Sequence, residues 1–268
     1  MRETAYAKIN LALQVRRRRD DGYHEIETLF AFVDAGDELS ASTAAQDQLR
    51  VFGEFAAQLN DLFGNIVEKA LSVLPHGTGW AVELDKRLPV AAGLGGGSAD
   101  AGAIFRMIER EFGLPDDWQE RAAKLGADVP ACVKSSTSIG RGTGTELEYL
   151  DNDIAGMPVL LINPRVPLGT GPVFSGWDGI DRGPLPTGTV SQLALGGRND
   201  LERPAIALCP EIADVLEALG QTSAILSRMS GSGATCFALF DTHEAMLEAA
   251  ETVARRWPDC WQMTGKLR

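Results

Sequence analysis

The segment Pro89-Val90-Ala91-Ala92-Gly93-Leu94-Gly95-Gly96-Gly97-Ser98 places four glycines in five positions between a strand-like run, Val82–Leu84, and a helical pattern that begins at Ser98. Glycine loses more backbone freedom on folding than any other residue, so a run this dense is destabilising unless the backbone must approach something closely. Glycines let several N–H groups converge on one point, and the helix that follows, with Ser98 expected as its N-cap, adds partial positive charge at its N-terminus. An anion held there gains about 0.3–1 kcal/mol from the dipole, up to about 2 when partly buried. Two readings stay open on the loop alone: a phosphate cradle, or a plain strand-to-helix turn. It is not a Walker A loop, because the G-K-[ST] ending is missing. Nor is it G-x-G-x-x-G, since counting from Gly93 the last glycine position is Ser98. Two weaker clusters, Gly140-Arg141-Gly142-Thr143-Gly144 and Ser230-Gly231-Ser232-Gly233, suit turns or walls where backbone comes close to a ligand.

What such a loop would bind is narrowed by charge. With 25 basic against 37 acidic residues the net charge is −12, which argues against nucleic acid or an anionic membrane as the main partner. An apolar fraction of 44% with 23% charged residues is that of a globular protein, and 268 residues make one large domain or two smaller ones. Apolar stretches such as Val159-Leu160-Leu161-Ile162 fall far short of the roughly 20 residues that span a bilayer. The first residues carry no charged-then-apolar signal pattern, so a cytoplasmic protein is expected. Cys132, Cys209, Cys236 and Cys260 are irregularly spaced among apolar neighbours, as buried free thiols are in a reducing compartment. His24, His76 and His243 form no metal-ligand pattern.

Along the chain, Thr4–Val15 reads as a strand, Arg16–Gly22 as a charged turn and Glu25–Val33 as a second strand with Ile26, Thr28, Phe30 and Phe32 on one face. The run from Arg16 to Arg19 ends in Asp20-Asp21, so a self-neutralising hairpin tip is expected there rather than a polyphosphate site. Helices are expected over Asn60–Leu74, over Ser98–Phe112 with Ile104, Phe105, Ile108 and Phe112 as its buried stripe, over Ala205–Leu219, and over Glu244–Trp257 with Met246, Leu247, Ala250, Val253, Ala254 and Trp257 inward. Val159–Ile162 and Ala234–Phe240 read as strands. Gly176–Gly188, with six Gly or Pro in thirteen residues, reads as a mobile loop. The irregular alternation of strands and helices predicts an α+β protein, divided into residues 1–152 and 153–268.

Pro89–Ser98 resembles the P-x-x-x-G-L-G-x-x-S signature of the GHMP kinases. The resemblance runs through nearly the whole chain in order. It takes in Ala7-Lys8-Ile9-Asn10-Leu11, Asp21-Gly22-Tyr23-His24-Glu25 with Thr28-Leu29-Phe30, and Leu125-Gly126-Ala127-Asp128-Val129-Pro130. It continues through Asn163-Pro164 with Thr170 and Phe174, Asn199-Asp200-Leu201-Glu202 and Gly231-Ser232-Gly233-Ala234. The Gly22-Tyr23-His24 segment narrows it to the branch that acts on a cytidine-diphosphate-linked methylerythritol. The resemblance implies a two-domain fold with the active site in the cleft between domains, and ATP along Pro89–Ser98. The expected reaction is transfer of a phosphoryl group to the 2-hydroxyl of that small-molecule polyol in non-mevalonate isoprenoid synthesis.

It also implies roles. Asp128 would accept the proton of a tertiary alcohol, a poor nucleophile, as the bond to phosphorus forms, and a positioned base contributes about 10²–10⁴-fold. Lys8 would hold that carboxylate and offset charge on the transferring group. Tyr23 and Phe174 would clamp the cytosine ring, where stacking is worth about 1–3 kcal/mol per base. His24 would read the base edge, while Asn10 and Thr170 would make polar contacts to the substrate. Asn65 and Lys86 would neighbour the nucleotide, together with Pro89, Val90, Ala91, Ala92, Gly93, Leu94, Gly95, Gly96, Gly97, Ser98 and Ala99. The family pattern has a second hydroxyl residue after the first serine of the loop, and this chain has Ala99 there. Mg2+ is expected with ATP, without a protein ligand that the sequence names.

Overall fold

The computed structural model describes residues 1–59 and 64–268. Its α+β chain forms two compact units. The first takes in Met1–Lys8, Ala35–Val90 and Gly95–Ser135; the second takes in Ile9–Asp34, Ala91–Leu94 and Ser136–Arg268. Strands β1 (Arg2–Arg18) and β2 (His24–Ala44) each begin in one unit and end in the other.

In the first unit, β3 (Gln48–Phe52), helix α1 (Ile66–Val73) and β4 (Gly79–Asp85) follow β2. The far half of β2 runs antiparallel to β4, from Glu38 opposite Asp85 to Ala44 opposite Gly79, and β3 pairs with β4 in parallel. Helices α2 (Gly96–Phe112), α3 (Trp118–Leu125) and α4 (Val129–Lys134) complete it, with α2 packed between α1 and α4. The approach of α2 to α4 is close because α2 carries Gly102, where a Cβ would come within 2.6 Å of the Cys132 backbone. Ile104, Phe105 and Ile108 are buried as their spacing predicts, whereas Phe112, in the last turn, is exposed.

The second unit continues with β5 (Ser138–Arg141), β6 (Glu146–Tyr149), β7 (Pro158–Asn163), α5 (Thr170–Ser175), α6 (Val190–Gly196), α7 (Glu202–Leu208), α8 (Glu211–Gly220), β8 (Leu226–Met229), β9 (Cys236–Leu239), α9 (His243–Arg256) and β10 (Trp261–Lys266). The near half of β2 pairs with β5, and β5 with β6. An antiparallel sheet of order β10-β7-β9-β8 carries a core that includes Leu160, Ile162, Ile212, Val215, Phe240, Met246 and Val253.

Several expectations need correction. The helix expected over Ala205–Leu219 is two helices, because Cys209 precedes Pro210 and takes a non-helical conformation (φ −140°, ψ 85°) that ends α7. The helix expected from Asn60 is observed from Ile66, and residues 60–63 lie outside the described residues. Leu247 faces solvent rather than the core, and Cys260 is only half-buried. The Gly176–Gly188 loop is irregular as expected. It is tied down, however, by the Arg16–Asp181 and Arg182–Asp178 ion pairs and by the Leu185 N–H on Glu27.

Candidate active site

In the first unit the glycine loop meets α2. Gly95, not Ser98, is the N-cap: it sits in the left-handed region at φ 61°, and the first helical hydrogen bond runs from the Ala99 N–H to the Gly95 carbonyl at 2.7 Å. Ser98 is therefore already inside the first turn. Sequence reasoning placed the cap on the first good capping side chain, but a glycine caps here by its backbone alone. No side chain caps α2 and no carboxylate lies in its first turn, so the amides of Gly96, Gly97 and Ser98 lead a helix end suited to an anion. Ala99 is buried in that turn.

Beside this helix end, Lys8 Nζ lies 3.1 Å from Asp128 Oδ2. Lys8 is buried and Asp128 is about one-third exposed (32%), so the carboxylate, not the ammonium, reaches solvent. Asp128 is the N-cap residue of α4, where Pro130 in the first turn suits the start of a helix. A Cβ on Gly95 would stand 3.0 Å from Lys8 Cε and 3.6 Å from Asp128 Oδ2. The absence of that Cβ is what lets the pair and the loop come together.

Lys86 is not at the surface. Its ammonium lies 2.5 Å from Asp37 Oδ2 and 2.7 Å from Asp100 Oδ2, all three side chains being at most 3% exposed. Burial works against the Lys86 charge, but Asp100 and Asp37 outweigh it and its pKa is raised. Burial pushes Asp100 the other way for a carboxyl, up to about 8, with Lys86 partly opposing and Asp37 adding to the rise. Asn65 caps α1, its Oδ1 accepting the Val67 N–H at 2.9 Å in a capping box with Glu68.

In the second unit, the middle of the loop lies against the Ser230–Gly233 turn. The Ser230 hydroxyl donates to the Gly93 carbonyl at 2.8 Å and accepts the Asn10 N–H at 3.1 Å. A Cβ on Gly93, at φ 77°, would fall 2.2 Å from the Ser230 carbonyl oxygen, so only glycine fits. Asn199 Nδ2 holds the same turn by donating to the Met229 and Gly231 carbonyls, both at 2.8 Å. Asn10 Nδ2 donates to Thr28 Oγ1 at 2.7 Å, and the hydroxyls of Thr170 and Ser232 lie 3.1 Å apart.

His24, Phe174 and Trp177 pack together in this unit. His24 stacks at a tilt on Phe174 with centroids 5.0 Å apart, and meets Trp177 edge-on at 5.8 Å. Tyr23, on the hairpin turn, is 65% exposed. Arg18 Nε donates to His24 Nε2 at 3.3 Å, which fixes that nitrogen as an acceptor. Burial, and then the Arg18 charge, hold the His24 pKa below its ordinary value. Of the neighbouring arginines, Arg19 pairs with Asp21 within the turn as expected, whereas Arg16 is neutralised by Glu27 and Asp181 and Arg17 by Glu25, outside the turn. Trp177, Asp37 and Asp100 escaped sequence reasoning. Trp177 sits inside a Gly/Pro-rich loop, and the two aspartates lie 49 and 14 residues from the lysine they hold.

Known proteins share this arrangement of sequence and fold. Residues 62–136 match the family model of the GHMP kinases N terminal domain, and residues 189–259 that of the GHMP kinases C terminal domain. The chain is 68% identical over its full length to the 4-diphosphocytidyl-2-C-methyl-D-erythritol kinase of Novosphingobium aromaticivorans, covering 93% of that protein. It is 62% identical to that of Erythrobacter litoralis, with 99% of each covered. A crystal structure of 4-(cytidine 5'-diphospho)-2C-methyl-D-erythritol kinase superposes with a TM-score of 0.83 at 32% identity, covering 100% of this chain and 99% of that one. The homoserine kinase of Cytophaga hutchinsonii, at 18% identity and a TM-score of 0.71 over 99% of this chain and 94% of the other, shares the fold.

Proposed function

The chain belongs to the 4-diphosphocytidyl-2-C-methyl-D-erythritol kinases, within the GHMP kinases, and from that membership we propose that it phosphorylates the 2-hydroxyl of 4-diphosphocytidyl-2-C-methyl-D-erythritol with ATP, a step of non-mevalonate isoprenoid synthesis. The observation that carries the reading is the Lys8–Asp128 pair at the open end of α2. ATP supplies the phosphoryl group. Asp128 accepts the hydroxyl proton as the new oxygen–phosphorus bond forms, and Lys8 orients Asp128 and offsets charge on the transferring group. The amides that open α2 bind phosphate oxygens, with Pro89–Ala99 tracking the triphosphate and Asn65 beside the nucleotide, while Lys86, buried on Asp37 and Asp100, supports the loop from beneath rather than meeting the nucleotide.

For the acceptor, His24 offers its neutral ring to the cytosine edge, Tyr23 and Phe174 stack on the base, and Asn10 and Thr170 contact the polyol and diphosphate. No group of three or more His, Cys, Asp or Glu among the described residues is placed to hold a metal ion. In this reading Mg2+ binds with the nucleotide's phosphates. No described helix is long and apolar enough to cross a membrane. The free thiols fit a reducing cytoplasm.

The test is ATP-to-ADP turnover by the purified protein with Mg2+, comparing the cytidine diphosphate substrate with free methylerythritol, mevalonate, galactose and homoserine. Turnover confined to the cytidine compound is expected. Turnover on another acceptor instead overturns the substrate, and ATP binding without turnover on any acceptor overturns the activity.

A further inference from the structure

Lys86, Asp37 and Asp100 bring one ammonium and two carboxyl groups into a site closed to water. If both carboxyls were ionised the site would hold an unbalanced negative charge, which is among the most unfavourable things to bury. A proton on one of them removes the imbalance, and the hydrogen bonds say which. Asp37 Oδ1 accepts the backbone N–H groups of Arg87 at 2.6 Å and Leu88 at 2.8 Å, and donors on both oxygens favour its charged form. Asp100 Oδ1 is buried with no hydrogen-bond partner, so its carboxyl has one stabilising contact, through Oδ2 to Lys86. Asp100 is the group that keeps the proton.

The three residues also hold the loop by both ends. Asp37 fixes the amides of Arg87 and Leu88, immediately before Pro89. Asp100 belongs to α2, the helix that closes the loop. Lys86 joins them directly under Gly96, where a Cβ would stand 3.1 Å from the ammonium and 3.8 Å from Asp37 Oδ2. A further titratable group that feels Asp100 is Cys132 on α4, itself facing Asp128, Lys8 and Arg106, whose thiol burial pushes well up and keeps neutral. We propose that Asp37, Lys86 and Asp100 form a neutral buried strut, with one proton resident on Asp100, that presets the glycine loop, so that Asp37 and Asp100 are positioning residues for nucleotide binding. This rests on the kinase reading for what the loop binds, but not for where the proton sits.

The proton is tested without activity. Infrared difference spectra of wild type and Asp100→Asn near neutral pH are expected to show one protonated carboxyl band that the variant lacks. A wild type with no such band, or a variant that keeps it, overturns the assignment. Should Asp100→Asn not fold, ¹³C-aspartate NMR of the wild type makes the same decision. One carboxyl must titrate on the alkaline side of neutral, and a spectrum in which every aspartate has ionised by pH 6 overturns the proposal.

The positioning role is read in kinetics. Wild-type KM for ATP is expected to climb once Asp100 ionises, by at most roughly tenfold per pH unit for one linked proton, and in Asp100→Asn that climb disappears. Asp37→Ala is expected to raise KM for ATP severalfold with kcat held within about twofold. Parallel pH profiles in wild type and Asp100→Asn, or a kcat loss without a KM change in Asp37→Ala, overturn the positioning role. A wild type that turns over none of the acceptors sinks the kinase reading and leaves the spectroscopic result standing.

Discussion

At the scale of single residues the proposed chemistry rests on Asp128, the carboxylate beside the helix end that keeps solvent access while its lysine is buried. Asp128→Asn keeps the shape of the side chain and removes its capacity to accept a proton. Steady-state kinetics are expected to show kcat lower by about 10²–10⁴-fold with both KM values near wild type, and turnover within a few-fold of wild type would remove Asp128 from the chemistry. His24 carries a second expectation. Burial, reinforced by Arg18, keeps its folded pKa below the unfolded value, so the unfolded chain binds the extra proton first. The stability His24 contributes is then fully present above about pH 6.5 and is lost as pH falls through the lowered folded value. ¹⁵N NMR of the imidazole should find Nε2 unprotonated at pH 7 and a midpoint below about 6.5; a midpoint above that value contradicts the contact with Arg18. Asp128 and His24 were legible because Leu125–Pro130 and Gly22-Tyr23-His24 resemble motifs of the kinase family, while neither residue is chemically distinctive in its own local run. Asp37 and Asp100 were not, because an aspartate in a strand and another in a helix reveal nothing until folding brings them onto one ammonium.

At the scale of elements, legibility follows periodicity and length. The long helices α2 and α9 carry repeated apolar spacing that survives local noise, as do the paired strands β1 and β2 over Thr4–Val15 and Glu25–Val33, although β1 runs on to Arg18 and β2 to Ala44 beyond what the spacing indicated. Six-residue helices such as α4 and α5 span fewer than two turns, too short for a period to show. The division of α7 from α8 had its signal in Pro210, where apolar spacing continued across a break that the backbone could not. Caps test the elements directly. Asn65→Ala removes the side-chain half of the α1 capping box and leaves the backbone N–H of residue 65 on Glu68, and is expected to lower unfolding free energy by about 1 kcal/mol in urea titration, with the m-value unchanged. Gly93→Ala meets a harder obstacle, a carbonyl oxygen at 2.2 Å and a positive φ. Its expected effect is a shifted loop, seen as a raised KM for ATP together with a lower melting temperature; wild-type values of both would mean the loop has slack that the packing does not show.

At the scale of the whole molecule, two sets of carboxyl groups pull the stability profile in opposite directions. Asp21, Asp117, Asp153, Asp178 and Asp181 are all held below the ordinary carboxylate value. For Asp178 the value falls to about 2, through its hydrogen bond from Arg182. Groups lowered in this way bind fewer protons folded than unfolded, so what they contribute is present above about pH 4 and is lost in acid. Asp100 is the reverse case. Its folded pKa is raised to about 8, so the folded chain binds the extra proton, and the stability it contributes declines as pH rises from about 4 to about 8. For one proton that slope is at most about 1.4 kcal/mol per pH unit. Since His24 removes stability below about pH 6.5, the melting temperature of the wild type is expected to peak on the acid side of neutral and to fall toward pH 8. Asp100→Asn cannot ionise, so its melting curve from pH 6 to 8 should lose that fall while keeping the decline in acid. Circular dichroism melts of the two proteins across this range decide it: converging curves at low pH and diverging ones at high pH follow from a buried proton on Asp100, whereas curves offset by a constant amount would mean the charge was there all along.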